Sequence, residues 1–266
     1  MSYEEELLPH DVIIEILSWL PPQKLLKFSS VCKSWRSSIR GAKFMATHRS
    51  HFGNLKKSNN GCIVYIVTKK DSRSITSPKL GLVDGSNPRM VYEITESKFD
   101  FSECYSIVGS CNGLFCCASY HVDDVPIQLC NPSIRWTTRI PPFRFNNKII
   151  RPDVFRYCYG VGFDRLKCDY KVVKFIGPGC DISRREKAAV YSVKAKSWKI
   201  VNSPVPPYLS CGYLSSFFLH GFIHWLAYLD QKYKIILFDV CNDVFKAMQL
   251  PEVDIHTEVS IQVVKD

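Results

Sequence analysis

The 266-residue chain lacks the short signatures that mark most enzymes and metal proteins. No Cys-x-x-Cys occurs among its twelve cysteines, so the paired spacing of tetrahedral zinc ligands is missing, and the nearest candidate is His220 with His224 plus a distant cysteine. No metal and no cofactor are expected. There is no Gly-x-Ser-x-Gly, no His-Glu-x-x-His and no phosphate-binding Gly-rich loop; Gly160-Val-Gly162-Phe-Asp-Arg165 lacks the final glycine and lies in a strand pattern rather than before a helix. No spacing assigns a nucleophile to a base, so a non-catalytic protein is expected. The acidic start, MSYEEELL, has no basic region followed by an apolar core, and the longest apolar-looking stretch, Phe217 to Leu229, is broken by His220 and His224 and is too short to span a bilayer. The expectation is a soluble cytoplasmic or nuclear protein, with reduced thiols and no membrane contact.

What is present begins with helical periodicity. Val12, Ile13, Ile16, Leu17 and Leu20 predict a helix from about Asp11 to Leu20, preceded by Pro9 and ended by Pro21-Pro22. A second helix opens at Pro22 and carries Leu25, Leu26 and Phe28, and Val31, Cys32, Trp35 and Ile39 form a third apolar set. Three helices in so few residues have almost no interior, so much of this apolar surface must be covered by something else. A partner protein is expected.

The order Leu8-Pro9, Asp11, Glu15-Ile16-Leu17, Leu20-Pro21, Leu25-Leu26, Phe28, then Val31-Cys32-Lys33-x-Trp35-Arg36 resembles the F-box in its plant form. The resemblance implies docking to a Skp-family adaptor of a cullin ubiquitin ligase, with Leu8, Pro9, Ile16, Leu17, Leu20, Pro21, Val31, Cys32 and Trp35 as the adaptor-binding residues. Two positions depart from the pattern: Trp19 stands where arginine is usual, and Ser29-Ser30 replaces a bulkier, often basic pair. An interaction protein that no longer recruits a ligase is the competing reading.

From about residue 60 the pattern changes to short strands with turn signals. Ser106 to Ser110 and Leu114 to Ser119 flank Asn112-Gly113, a two-residue hairpin signal, and Ile127 to Cys130 and Arg135 to Ile140 complete a four-stranded antiparallel unit. The unit recurs as Tyr159 to Asp164, Tyr170 to Ile176, Ala189 to Val193 and Ser197 to Val201. It recurs again as Phe217 to Leu219, Phe222 to Leu229, Ile235 to Val240 and Phe245 to Leu250, with His220-Gly221 at the hairpin. Each last strand begins near an aromatic, Trp136, Trp198 or Phe245, at intervals close to the roughly 40 to 50 residues of a propeller blade. The fold class is therefore α+β: a helical domain at 1–48, then a mainly antiparallel, propeller-like β domain at 49–266.

Gly109-Ser-Cys-Asn-Gly-Leu, Asn131-Pro-Ser, Tyr159-Gly-Val-Gly-Phe-Asp, Asp169-Tyr-Lys-Val-Val, Val190-Tyr-Ser with Ser197-Trp, and Gly221 with His224-Trp resemble the F-box-associated domain of plant F-box proteins. That family includes regulators of immune-receptor abundance and the pollen S-locus F-box proteins. The resemblance implies a kelch-like substrate receptor. Cys62 to Thr68 and Leu80 to Asp84 read as a less regular first unit, and Val259 to Val264 as a further strand two residues before the last residue. Only three blades are legible where the chain has room for roughly four or five. A truncated member with an incomplete propeller is the expectation.

Charge completes the reading. The net charge is +10, and residues 135 to 200 hold sixteen Lys or Arg against five Asp or Glu, which accounts for all of it. Arg139, Arg144, Lys148, Arg151 and Arg156, with Arg135, span the last strand of one unit and the long loop to the next, and are the expected target-binding residues for an acidic protein partner. A basic RNA-binding module, with Phe143, Phe145, Phe155 and Tyr157 stacking on bases, is the rival; no nucleic-acid motif accompanies them, and RNA or DNA is not expected.

Overall fold

In the computed structural model, residues 8–55, 62–67, 70–71, 74–75, 79–84, 87–93, 105–119, 125–131, 134, 136–145, 157–176, 188–206, 210–211, 216–229 and 232–250 are described. They belong to two compact units, one built on the helices and one on the blade-like strands. The strand expected at Val259 to Val264 and most of the loop after Phe145 lie outside the described residues.

Among the described residues four helices run in order: α1 (His10–Ser18), α2 (Pro22–Phe28), α3 (Lys33–Arg40) and α4 (Ala42–Leu55). Proline sets the first two starts, with Pro9 at the N-cap of α1 and Pro21-Pro22 at the N-cap and first position of α2. Cys32 caps α3, its Sγ accepting from the Trp35 amide at 3.4 Å. Helix α4 went unanticipated, and it carries the chain without a break past residue 48, the expected domain boundary. Its Phe44 completes a small core with Leu17 and Leu25, against which Ile13, Ile14, Leu20, Phe28, Trp35 and Ile39 pack.

The β region begins with β1 (Cys62–Val67), the two-residue pair β2 (Lys70–Asp71) and β3 (Ser74–Ile75), then β4 (Lys79–Asp84) and β5 (Asn87–Glu93); β1, β4 and β5 form one sheet in the order β1-β4-β5. The first legible unit is β6 (Tyr105–Cys111), β7 (Leu114–Ser119), β8 (Ile127–Asn131) and β9 (Trp136–Ile140), each antiparallel to the next. The second is β10 (Tyr157–Asp164), β11 (Asp169–Ile176), β12 (Ala188–Ser192) and β13 (Ser197–Val201). After β14 (Ser210–Cys211), the third is β15 (Ser216–Leu219), β16 (Phe222–Leu229), β17 (Lys232–Asp239) and β18 (Val244–Gln249). Both hairpin signals hold, with positive φ at Asn112 and Gly113 (48° and 82°) and at His220 and Gly221 (50° and 88°).

The first and third units are not separate sheets. Strands β6 and β15 pair in parallel, Ser216 with Gly109 and Phe217 with Ser110, and join the eight strands of both units into one sheet, of which β14, pairing with β16, is the ninth strand. Gly109 permits this approach, because a Cβ there would lie 2.4 Å from Ser216 Oγ, and that hydroxyl donates to Val108 O at 2.8 Å. Strand β10 packs against both inner strands and is buried along its whole length. A Cβ at Gly160 would fall 2.5 Å from Trp225 Cζ2, and one at Gly162 would fall 2.7 Å from Val240 Cγ2. The Gly-Val-Gly run is thus a packing device between units. The Trp225 indole seals the junction by donating to Tyr159 O at 2.8 Å, above a core of Phe175, Ile223, Phe238 and Phe245.

Candidate functional site

Helix α1 is apolar on two faces, and its neighbours cover only one. Ile13, Leu17 and Leu20 turn toward Leu25 and Phe44. Leu8 (58% exposed), Val12, Ile16 (51%) and Trp19 recur at helical spacing on the other side and stand in the open, as does Val31 (61%). Pro9, Pro21 and Cys32 are exposed beside them. Leu17, expected on the docking surface, is instead only 2% exposed and belongs to the module's own core. The reason is helical geometry: one residue beyond Ile16 rotates the side chain by about 100°. Leu20 and Trp35 are partly covered, Trp35 edge-on to Phe28 with ring centroids 5.8 Å apart.

The departures from the F-box pattern are absorbed within the module. Trp19 donates from Nε1 to Glu15 Oε1 at 3.0 Å and stacks on His51 of α4 with centroids 4.1 Å apart, and His51 Nδ1 lies 2.8 Å from Ser18 Oγ. His48 Nε2 lies 2.8 Å from the Leu20 carbonyl, left without an intrahelical donor at the end of α1. Ser29 and Ser30 donate to the carbonyls of Leu26 and Lys27 at 2.7 and 2.6 Å, finishing α2. Trp19 and its histidine partners therefore tie α1 to α4, a role that needs the helix the sequence reading missed. Phe44, His48 and His51, at intervals of four and three, are the signal that could have found it.

In the β domain the structure divides the basic segment. Arg139, near the end of β9, and Arg144, just beyond it, are exposed; Arg135, Lys148, Arg151 and Arg156 lie outside the described residues. Two of the segment's lysines are internal. Lys174 is buried, donating to Phe143 O at 2.8 Å with its ammonium 4.2 Å from the Tyr157 ring centroid. Lys171 is buried at the other end of β11, where Nζ contacts Val240 O at 2.6 Å, Asp164 Oδ2 at 2.9 Å and Asp243 Oδ1 at 2.9 Å. Burial by itself would lower the Lys171 ammonium, but the two aspartates outweigh it and hold it above its usual range. Burial likewise acts to raise the Asp164 carboxyl, and the Lys171 hydrogen bond with the Lys167 amide and Cys241 overcomes this and holds it low. The cluster fastens the second unit to the turn between β17 and β18, and Lys199 pairs with the outer oxygen of Asp243.

Among the described residues no group of three or more His, Cys, Asp or Glu is placed to hold a metal ion. Cys116, Cys117 and Cys130 are buried free thiols of β7 and β8, and burial pushes all three up, Cys130 to about 12.

Comparison with known proteins agrees with this anatomy. Residues 6–46 match the model of the F-box domain, and residues 63–266 match that of the F-box associated beta propeller domain. An F-box/kelch-repeat protein of Arabidopsis thaliana is 28% identical over 247 residues, covering 92% of this chain and 65% of its own length. A putative F-box/kelch-repeat protein of the same plant is 26% identical over 276 residues, covering 95% of this chain and 61% of its own length. A third, an F-box protein, is 29% identical over 256 residues, with 92% and 65% covered. The chain spans about three fifths of the length of the curated relatives it matches. A helical F-box with an open apolar face, followed by antiparallel blade units, makes this chain a member of the plant F-box family that carries an F-box associated β-propeller domain.

Proposed function

We propose that the chain is the substrate-recognition subunit of an SCF-type cullin ubiquitin ligase, holding a Skp-family adaptor through the F-box and a target protein through the β domain. F-box proteins as a family are substrate adaptors rather than catalysts. In this reading the chain performs no chemistry, and ubiquitin transfer takes place on machinery recruited through the cullin, in the cytoplasm or nucleus. One observation carries it: α1 presents Val12 and Ile16 outward, with Leu8 exposed just before it, while a second apolar stripe already fills the module's core. A helix with two apolar stripes, one of them covered by its own module, has a face to give to a partner.

Co-purification of the chain with a Skp-family adaptor and cullin is the test. Replacing Leu8 and Pro9 together by alanine should weaken adaptor binding by about 2 kcal/mol or more, as for truncated interface anchors, with the β domain still folded. Unchanged adaptor affinity in this double variant would show that the face is not the interface. Failure of the parent chain to bind any adaptor would favour a ligase-independent interaction protein.

A further inference from the structure

We propose that the paired turns at residues 165–168 and 193–196 form a docking surface for an extended acidic segment of the target, with Leu166 meeting one apolar side chain of that segment. The proposal rests on the receptor reading above and names its surface. In sequence the first turn looks balanced, Asp164-Arg-Leu-Lys-Cys-Asp169. Folding separates the signs. Asp164 is buried, its Oδ1 accepting from the amides of Leu166 and Lys167 at 3.0 Å each and its Oδ2 held by Lys171. Asp169 is buried too, accepting from the Lys194 amide at 2.8 Å and from the Ser192 hydroxyl. Arg165, Lys167, Lys194 and Lys196 are all exposed, so the anions are consumed in shaping the turns while the cations face water. Lys167 retains only a 4.0 Å approach to Asp164, whose charge Lys171 already shares.

The two turns act as one surface. β12 ends beside the start of β11, with Lys171 opposite Ser192, and Lys194 Nζ donates to Lys167 O across the gap at 3.2 Å. Leu166, between Arg165 and Lys167, is 82% exposed. The buried carboxylates fix the backbone beneath it, so little ordering is left to be lost on binding. Neither turn carries an aromatic side chain on which a base could stack, which favours a peptide over a nucleic acid. The 240–243 turn lies at the same end as the turn at 165–168, since Val240 O and Asp243 Oδ1 both meet Lys171.

The test uses the full chain and a fluorescein-labelled twelve-residue peptide of glutamate and aspartate with one central leucine. Fluorescence anisotropy should show saturable, salt-sensitive binding, weakened about thirty-fold or more by the R165E/K167E/K194E/K196E change and less strongly by Leu166→Ser. Unaltered melting of these exposed-turn variants, and retained adaptor co-purification, would confine the loss to the turns. Equal peptide binding by parent and four-residue variant overturns the proposal, as does tighter binding of a twelve-nucleotide single-stranded RNA or of phosphatidylserine vesicles. A Leu166→Ser variant that binds like the parent overturns the apolar anchor. Adaptor binding depends on the F-box, so failure of the receptor reading would appear as a parent chain without adaptor, whatever the peptide does.

Discussion

Replacing Lys171 by methionine should destabilise the β domain by about 4 kcal/mol, because it leaves the stem in place and removes only the ammonium. That ammonium meets Val240 O, Asp164 Oδ2 and Asp243 Oδ1 within 2.9 Å. Asp243 keeps Lys199, which is well exposed. Asp164 is fully buried and keeps two backbone amides and a lysine 4.0 Å away. Breaking a buried pair by removing one partner costs about 3–5 kcal/mol, and the lost donor to Val240 contributes about 1 kcal/mol within that range. Urea unfolding followed by tryptophan fluorescence should report the loss, and thermal unfolding should fall by roughly 10 °C. Adding Asp164→Asn keeps both amide contacts and leaves no orphaned charge there, so the double variant should be more stable than Lys171→Met alone. A single variant within about 1 kcal/mol of the parent, or a double variant worse than the single, would refute the argument that this ion cluster joins the units.

The same cluster sets a pH dependence. Asp164 is held below the ordinary 3.8 and Lys171 above the ordinary 10.5, so their stabilisation is present between those values, lost on the acid side as pH falls through the depressed carboxyl, and lost on the basic side only above 10.5. In Lys171→Met the unpaired Asp164 should instead favour its protonated form, so mild acidification should stabilise that variant; a fall in its melting temperature between neutral pH and about pH 5 would count against the pairing. Gly160→Ala should cost about 1–3 kcal/mol, since the new methyl would meet Trp225 and Ile223 at 2.5 and 2.6 Å, and an unchanged melt would show that the inner strands have room to spare. At pH 8 a thiol reagent should label exposed Cys32 and Cys168 in the native protein and reach Cys116, Cys117 and Cys130 only after unfolding; rapid native labelling of the latter three, mapped by mass spectrometry, would contradict their burial.

Local chemistry by itself determined much of this protein. Proline at positions 9, 21 and 22 sets the helix starts, and Asn112-Gly113 and His220-Gly221 set hairpins, because each acts on the backbone within a few residues. Alternation and turn spacing placed the strands of all three units to within a few residues, and the F-box order was readable because its apolar positions lie close together in the chain. What depended on distant residues was decided only by tertiary structure. Whether Ile16 or Leu17 faces outward follows from α4, whose Phe44 closes the core on one side of α1. The parallel pairing of β6 with β15 joins residues more than a hundred positions apart through a close approach at Gly109. Charge was the least legible property: among the described residues, the basic segment became two buried lysines, exposed arginines at 139 and 144, and exposed cations on the turns at 165–168 and 193–196. A count of charges carries no information about which carboxylates the fold will enclose, and it is the enclosure of Asp164 and Asp169 that leaves the turns positive.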